Sequence, residues 1–275
     1  MNTIIAIQGA QGSNHHKVAL DFYGENVQLK ECLSFDRLVD SLLTKEAKKG
    51  IMAIENTIAG SIIPNYALID ANNLHISGEE YLSIHHHLMA FPGQKLEDIT
   101  EVCSHPMALL QCKEFFKKHP KIKLVEDVDT AEVAKRIGKN QLKGVAAIAP
   151  KLAAKIFGLE ILEDEIQTMK ENATRFVIVQ TEKPKNGIDS INKASLKFQL
   201  DHKRGSLAAI LNVLSDCKMN LTKIQSMPIM ETPWKYSFFV DVTFENYQDY
   251  KKAVAIIHIM ADDFKILGTY KNGRK

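Results

Sequence analysis

The chain has 275 residues, 45% hydrophobic and 25% charged, enough apolar material for two packed domains and ordinary for a globular protein. Lys and Arg number 35 against 33 Asp and Glu, a formal net charge of +2, so no concentrated basic face marks a nucleic-acid surface. No apolar run approaches the roughly 18 residues of a membrane span, and the start Met-Asn-Thr-Ile-Ile lacks a basic leader.

The four cysteines (Cys32, Cys103, Cys112, Cys217) follow neither metal-site nor secreted-disulfide spacing. A cytoplasmic protein with reduced thiols and no nucleic-acid or membrane partner is expected. Thr3 to Ile7 has strand character, Gly9-Ala-Gln-Gly-Ser-Asn14 follows, and a helical pattern then runs through Phe22 to Gly24. Strand, glycine turn and helix make the βα unit of an α/β fold. The turn falls short of G-x-G-x-x-G, so a dinucleotide reading is set aside. What remains is Ser13 as helix N-cap, with glycines that let backbone N–H groups approach an anion.

Phe35 to Lys49 reads as an amphipathic helix ended by Gly50. A buried strand, Ile51 to Ile54, runs into Glu55-Asn56-Thr57, and Gly60-Ser61 is expected to open a helix through Ile69. Leu74 to Ile76 and Tyr81 to Ala90 are further strands. Inside the second, His85 and His87 share a face, but no third metal ligand is visible and a packed or solvated strand is the plainer reading. Glu101 to Cys103 leads through Ser104-His105-Pro106 into a helix from Met107 to Lys118, with Ser104 as N-cap and proline in the first turn. Leu124-Val125 is a strand, Asp129 opens a helix ending near Gly138, Gly144 to Ile148 is a buried strand, and Pro150 opens a helix to Gly158.

A polar turn, Glu171 to Thr174, then runs into an apolar strand, Phe176 to Val179. Thr174 and Arg175 sit at the junction. A hydroxyl there donates a hydrogen bond to a leaving oxygen, and a planar guanidinium matches a carboxylate. Taken alone, an ordinary strand start with a surface arginine fits this stretch as well. Three helix starts (Ser13, Gly60-Ser61, Ser104-His105) each follow a strand end, and such ends line one edge of a parallel sheet. If they converge, they form with Arg175 a site for a small dicarboxylate.

Glu182 to Asp189 is rich in Pro, Gly and charge and reads as a linker. Beyond it the order is strand 194–201, helix 206–217, strand 220–228, strand 235–244, helix 247–259 and strand 263–270. That βαββαβ order is a ferredoxin-like unit of about 80 residues.

Three segments of the first part, Ile54-Glu-Asn-Thr-Ile-Ala-Gly-Ser61, Ser104-His-Pro-Met-Ala-Leu-Leu-Gln-Cys112 and Asn172-Ala-Thr-Arg-Phe176, resemble prephenate dehydratase. The tail resembles the ACT regulatory domain of that family through Gly205-Ser-Leu207, Asn220-Leu-Thr-Lys-Ile224 and Trp234-Lys-Tyr-Ser-Phe-Phe-Val-Asp241. The match spans nearly the whole chain in order. It implies a lyase of phenylalanine biosynthesis that converts prephenate to phenylpyruvate, carbon dioxide and water without metal or organic cofactor. The implied fold is an α/β, two-lobed periplasmic-binding-protein type II-like catalytic domain plus a ferredoxin-like ACT domain.

The implied boundaries are 1–182 for catalysis, 183–193 for the linker and 194–275 for ACT. Lobe 1 covers about 1–77 and 160–182 and lobe 2 about 78–159, with hinge strands near 77–82 and 157–162. A homodimer or homotetramer is expected.

Carried over by position, Thr174 is the catalytic donor to the departing hydroxyl, and the resemblance leaves open whether Glu55 or His105 carries a transferable proton. Arg175 would hold a carboxylate or the local loop geometry. Asn56, Thr57 and Ser104 would line the cleft, with Ser13, Gly60, Ser61 and Asn172 as further substrate-binding positions. The implied effector is L-phenylalanine as allosteric inhibitor, on Gly205, Ser206, Leu207, Asn220, Leu221, Gln225 and Ser226.

The chain departs from the family mildly at Glu55-Asn56-Thr57, where E-N-S is usual, at Gly205-Ser-Leu207, where G-A-L is usual, and in two further places. Its first turn has Ala10, Asn14 and His15 where G-P-x-G-T-[FY]-[ST] is usual, and Gln225-Ser-Met-Pro228 stands for E-S-R-P, which puts phenylalanine binding in question. Arogenate as substrate, and a non-catalytic small-anion or amino-acid sensor on the same fold, are the alternatives.

Overall fold

Apolar strands alternating with capped helices build two separate sheets from the first 180 residues and a third from the rest. The computed structural model describes residues 3–184, 187, 191–201, 203–229 and 235–274. Two compact units result: Met1–Gly60 with Tyr81–Phe176, and Ser61–Glu80 with Val177–Lys275.

The first sheet contains β1 (Ile4–Gln8), β2 (Gln28–Cys32), β3 (Lys49–Asn56), β5 (His75–Ser83) and β11 (Ala173–Gln180), in the order β2-β1-β3-β11-β5. The pairs β1/β2 and β1/β3 are parallel. The short β4 (Gly60–Ser61) adds to β3. Helices α1 (Asn14–Tyr23) and α2 (Phe35–Leu43) begin on the hydroxyls of Ser13 and Ser34, which accept from His16 N–H and Arg37 N–H. The expected helix to Lys49 stops at Leu43, because β3 already begins at Lys49.

The second sheet lies wholly in the first unit. It contains β6 (His87–Ala90), β7 (Glu101–Ser104), β8 (Lys123–Glu126), β9 (Val145–Ala149) and β10 (Glu160–Glu163), ordered β10-β6-β9-β7-β8. One face packs on α6 (Thr130–Asn140) and α7 (Lys151–Phe157) through Val133, Ala134, Ile137 and Ala153. The other packs on α4 (Pro106–Gln111) through Ala108 and Leu109.

Three further expectations need correction. The helix expected over Met107–Lys118 is broken at Cys112, which caps α4 before α5 (Lys113–Lys117) begins. The strand expected over Tyr81–Ala90 is two strands: β5 ends at Ser83 in the first sheet and β6 starts at His87 in the second. Since β10 pairs antiparallel with β6, residues 160–163 belong to the second sheet. The crossovers between sheets are therefore 84–86 and 164–172, and the hinge expected near 77–82 and 157–162 moves by several residues.

The second unit carries the βαββαβ pattern: β12 (Lys193–Gln199), α8 (Ser206–Asp216), β13 (Asn220–Pro228), β14 (Tyr236–Thr243), α9 (Tyr247–Met260) and β15 (Asp262–Tyr270). The strand order β13-β14-β12-β15 is ferredoxin-like. Its core holds Leu196, Phe198, Ile210, Val240 and Ile257.

Helix α3 (Ile63–Ala71) and most of β5 group with this unit. Side-chain chemistry explains why. Lys193 bonds both oxygens of Glu79 at 2.9 Å, with both side chains almost wholly enclosed (2% and 0% exposed). Lys197 and Lys265 lie 3.3 and 2.7 Å from the two oxygens of Asp70. Tyr66 packs on Phe239 with ring centroids 5.1 Å apart. The linker expected at 183–193 lies in part outside the described residues, at 185, 186 and 188–190. No helix among the described residues is long and apolar enough to cross a membrane.

Candidate active site

Where β3 runs out, the chain makes a polar turn stitched to the start of β11. Thr57 N–H donates to Ala173 O at 2.9 Å, and Ala173 N–H donates back to Thr57 Oγ1 at 3.0 Å. Asn56 sits at the centre. Its Oδ1 accepts from Ile58 N–H (3.0 Å) and Ala59 N–H (2.9 Å). Backbone N–H groups can only donate, so the amide orientation is fixed and Nδ2 faces β11. There Nδ2 donates to Asn172 Oδ1 (2.7 Å), to Thr174 Oγ1 (2.9 Å) and, at longer range, to Ala173 O (3.3 Å).

Thr174 is 8% exposed. Since Asn56 donates to its oxygen, the Thr174 proton must point elsewhere, and no acceptor for it is found among the described residues. A hydroxyl held by its oxygen with its proton unspent is set up as a hydrogen-bond donor to a ligand.

Beyond Asn172 the chain of amides continues. Asn172 Nδ2 donates to Gln111 Oε1 at 3.0 Å, and His86 Nε2 lies 2.7 Å from the same oxygen. Gln111 is the last residue of α4, on the second-sheet side, and its own carbonyl accepts from Thr168 N–H at 2.9 Å. Neither Gln111 nor His86 was assigned a role from the sequence. The available signal at Gln111 was a lone amide between Leu110 and buried Cys112 on an otherwise apolar turn. For His86 it was the odd face of the three-histidine run.

Of the residues expected to form the site, Asn56, Thr57, Asn172 and Thr174 meet directly. The others are placed differently. Arg175 is 3% exposed and, by strand alternation, on the opposite face of β11 from Thr174. Glu55, half-buried, lies by the same alternation on the opposite face of β3 from Asn56. Ser104 does not cap a helix as expected. Its hydroxyl is fully buried and donates to Ile148 O at 2.7 Å, tying β7 to β9. The cap of α4 is the exposed His105, whose Nδ1 accepts from Met107 N–H at 3.2 Å.

Gly60 and Ser61 do not open a helix either. They form β4, and α3 starts from Ile62 with Pro64 in its first turn and no side-chain cap. Ser61 Oγ accepts instead from Lys223 Nζ at 2.8 Å within the second unit. Of the three expected helix-start anion sites, only Ser13 caps a helix with its own hydroxyl.

The turn that carries Ser13 is held from both sides. Gly9 and Gly12 have φ of +88° and +86°, where a side chain would be strained. A Cβ at Gly9 would stand 2.6 Å from Asp129 Oδ2, and one at Gly12 2.8 Å from Ala153 Cα. Asp129 caps α6, accepting from Ala131 and Glu132 N–H, and its burial raises its pKa. Gly12 N–H donates to His16 Nδ1 at 2.9 Å, so that nitrogen is unprotonated; burial lowers the pKa of His16 against the opposing pull of Glu31 and Glu25.

His15 meets Phe35 and Phe176 edge-on at 5.6 and 5.0 Å. Its departure from the usual residue is therefore a packing feature of the core behind Arg175, and burial drops its pKa to about 3. His87 Nδ1, at the start of β6, pairs with Asp164 at 2.8 Å, and His85, in the first crossover, with Glu165 at 3.2 Å, both tying to the second crossover.

The expected effector residues group by position along the second unit. Ser206 and Leu207 line a small cavity with Tyr236 and Phe238. Ser226 and Gln225 lie across from Phe238 and Phe239 on the neighbouring strand, β14. Gly205 is the N-cap of α8. Asn220 and Leu221 stand at the far end of β13, opposite Thr243 and Val242.

Comparison with known proteins agrees with this architecture. Residues 5–184 match the family described as prephenate dehydratase. The chain is similar to arogenate dehydratase/prephenate dehydratase 2, chloroplastic, of Arabidopsis thaliana. The two are 34% identical over 278 residues, covering 97% of this chain and 72% of that protein. The solved structure of prephenate dehydratase in complex with L-Phe from Arthrobacter aurescens shares the fold, with a TM-score of 0.87 at 24% identity over 98% of this chain and 90% of that one. A quorum-quenching acylase, GqqA, is also similar, with a TM-score of 0.84 at 25% identity over 98% and 97%. By the span of the family match and the identity to its curated relative, this chain belongs to the prephenate dehydratase family.

Proposed function

We propose that the protein is a carbon–oxygen lyase that converts prephenate to phenylpyruvate, carbon dioxide and water. Loss of carbon dioxide from one end of the ring sends an electron pair through it, and the ring hydroxyl leaves from the other end with its bonding pair. Aromatisation drives the step. The departing oxygen gains negative charge and finally takes a proton, ending as water. The chemistry asks for a donor aimed at that oxygen, and the observation that carries the reading is Thr174, its oxygen held by Asn56 and its proton unspent. A threonine hydroxyl stabilises the developing hydroxide by hydrogen bonding; the net proton comes from another acid or from water. Gln111 has both bonds to its Oε1 filled, so its NH2 group serves as a second donor to the ligand.

Arogenate is a second substrate to test, because the Arabidopsis relative is named for both activities. We assign residues 1–182 to catalysis and 194–275 to an ACT-type regulatory role, in a cytoplasmic homo-oligomer. The Arthrobacter neighbour was solved with L-Phe, and L-phenylalanine is the effector to test on the Ser206–Leu207 cavity. Purified protein is mixed with prephenate or arogenate, and phenylpyruvate or phenylalanine is followed. Thr174→Val should lower kcat by about 10²–10³ with the fold intact. Equal turnover by the variant removes Thr174 from the chemistry. No turnover by the wild type on either substrate turns the reading toward a sensor, or toward the acyl hydrolysis for which GqqA is named.

A further inference from the structure

His86 lies in the first crossover and is 5% exposed. Its ring nitrogens differ. Nε2 is 2.7 Å from Gln111 Oε1, whereas Nδ1 is enclosed without a hydrogen-bond partner among the described residues. A buried unpaired polar atom costs stability, so its retention asks for a reason.

The reason is a matter of polarity, which can be followed from the backbone outward. Ile58 and Ala59 N–H fix Asn56 with its Nδ2 toward Asn172 and Thr174. Asn172 must meet it with Oδ1, which leaves Nδ2 for Gln111. Gln111 must then present Oε1, and the second group on that oxygen, His86 Nε2, has to be a donor. The imidazole is therefore the Nε2–H tautomer, and its enclosed Nδ1 is a bare lone pair.

Moving the ring proton to Nδ1 would set the bare Nε2 lone pair against Oε1, so the neutral ring is held in one tautomer. Charging it would create a second buried donor with no acceptor, and burial lowers its pKa accordingly, with His87 and His85 nearby adding to the effect.

We propose that His86 is a positioning residue for the dehydration. Its Nε2–H donates to Gln111 Oε1 beside Asn172 Nδ2 and holds that oxygen inward, so that the NH2 group faces the ligand, and it closes the far end of the hydrogen-bond network in which Asn56 Nδ2 donates both to Asn172 Oδ1 and to Thr174 Oγ1. The role rests on the reading of Gln111 and Thr174 given above. The network reaches from a crossover and the end of α4 to the ends of β3 and β11, so the two donors, Thr174 and Gln111, are held in one set of mutually fixed amides.

The test compares His86→Leu, His86→Gln, Gln111→Leu and the His86→Leu/Gln111→Leu double variant with the wild-type chain, in kcat and kcat/KM on whichever substrate turns over. His86→Leu should lose about ten- to a hundredfold in kcat/KM. His86→Gln, whose NH2 reaches the place of Nε2, should recover most of it. In the Gln111→Leu background, His86→Leu should add no further loss, because the two residues act as one unit.

A nitrogen-15 NMR spectrum of the imidazole in the wild type should show Nε2–H and a bare Nδ1 at neutral pH. That readout also stands if His86→Leu does not fold. Full activity in a folded His86→Leu, a multiplicative loss in the double variant, or an Nδ1–H tautomer would overturn the proposal while leaving the reaction in place. Wild-type protein silent on both substrates would instead defeat the reaction, and the positioning role with it.

Discussion

The hydrogen-bond network that holds Thr174 is built of neutral groups. Three amides, an imidazole and a hydroxyl pass hydrogen bonds from one to the next, with backbone N–H groups fixing the direction at one end. In the second unit the enclosed polar groups are largely ionic: Glu79 with Lys193, Asp70 with Lys197 and Lys265, and Asp263 with Lys197. Neutral amides avoid most of the cost of burying charge, and each has a donor end and an acceptor end. Ion pairs attract from any approach and impose no such direction, but either partner left alone is costly. The first arrangement suits a site that must aim one proton. The second suits a seam that must hold Ser61–Glu80 against a sheet.

The contrast is sharpest in its largest expected effect, which is on the ionic side. Glu79→Ala should remove the carboxylate whose two oxygens bond the enclosed Lys193 ammonium, and with it the acceptor of Gly273 N–H. The expected cost is about 3–5 kcal/mol in urea unfolding. Joint replacement by apolar groups, Glu79→Leu with Lys193→Met, should recover much of that loss, because the pair itself contributes little net stability. A single variant that loses less than about 1 kcal/mol, the value of an exposed pair, would show that Lys193 does not depend on Glu79 and would collapse the comparison.

On the neutral side the sensitive property is direction. Asn56→Asp keeps the acceptor for Ile58 and Ala59 N–H but replaces the donor end with an oxygen. Thr174 would then spend its proton on that carboxylate, and Asn172 Oδ1 would face an acceptor. We expect kcat to fall by about 10²-fold, on the scale of removing one transition-state donor. The accompanying stability loss should be about 1–3 kcal/mol. Steady-state kinetics beside urea midpoints separates the two. A variant that loses stability but not kcat would mean that the direction of these bonds is irrelevant to turnover.

Much of this was legible in the sequence, where local chemistry decides local structure. The βαββαβ half was placed to within a few residues because each strand alternates or runs apolar, and each helix has a definite start. The turn Glu55–Thr57 and the junction at Thr174 were found from polar groups massed at strand ends. What escaped depends on contacts distant in sequence. Whether Tyr81–Ala90 is one strand or two is decided by the pairing of His87–Ala90 with β9 and β10. Ser61 looks like a cap until Lys223, 162 residues later, claims its hydroxyl. Gln111 and His86 show only a lone amide and an odd-facing histidine locally, since their roles arise from Asn172, which lies 61 residues beyond Gln111.

The smallest expected effect per pH unit tests the weak point of the neutral half, its buried histidines. His15 has a pKa near 3 in the folded protein against about 6.5 when exposed, because burial penalises its charged form. Above pH ~6.5 neither state binds the proton, and His15 contributes no pH dependence. Below it, the unfolded chain takes up a proton that the folded protein refuses, so stability falls as pH falls, by up to about 1.4 kcal/mol per pH unit. That loss continues until the folded group titrates near pH 3.

His15→Met keeps an apolar side chain against Phe35 and Phe176 and removes the titration. The stability difference between wild type and variant should be flat above pH ~6.5 and should shift in favour of the variant from there down to about pH 4.5, before the carboxylates dominate. His16, His86 and His87, whose pKa values are also lowered by burial, cancel in that difference. Urea midpoints across the range give the slope directly. A difference that stays flat through pH 5 would place water at His15, and the packing of its ring between Phe35 and Phe176 would then have to be looser than 5.6 and 5.0 Å centroid separations allow.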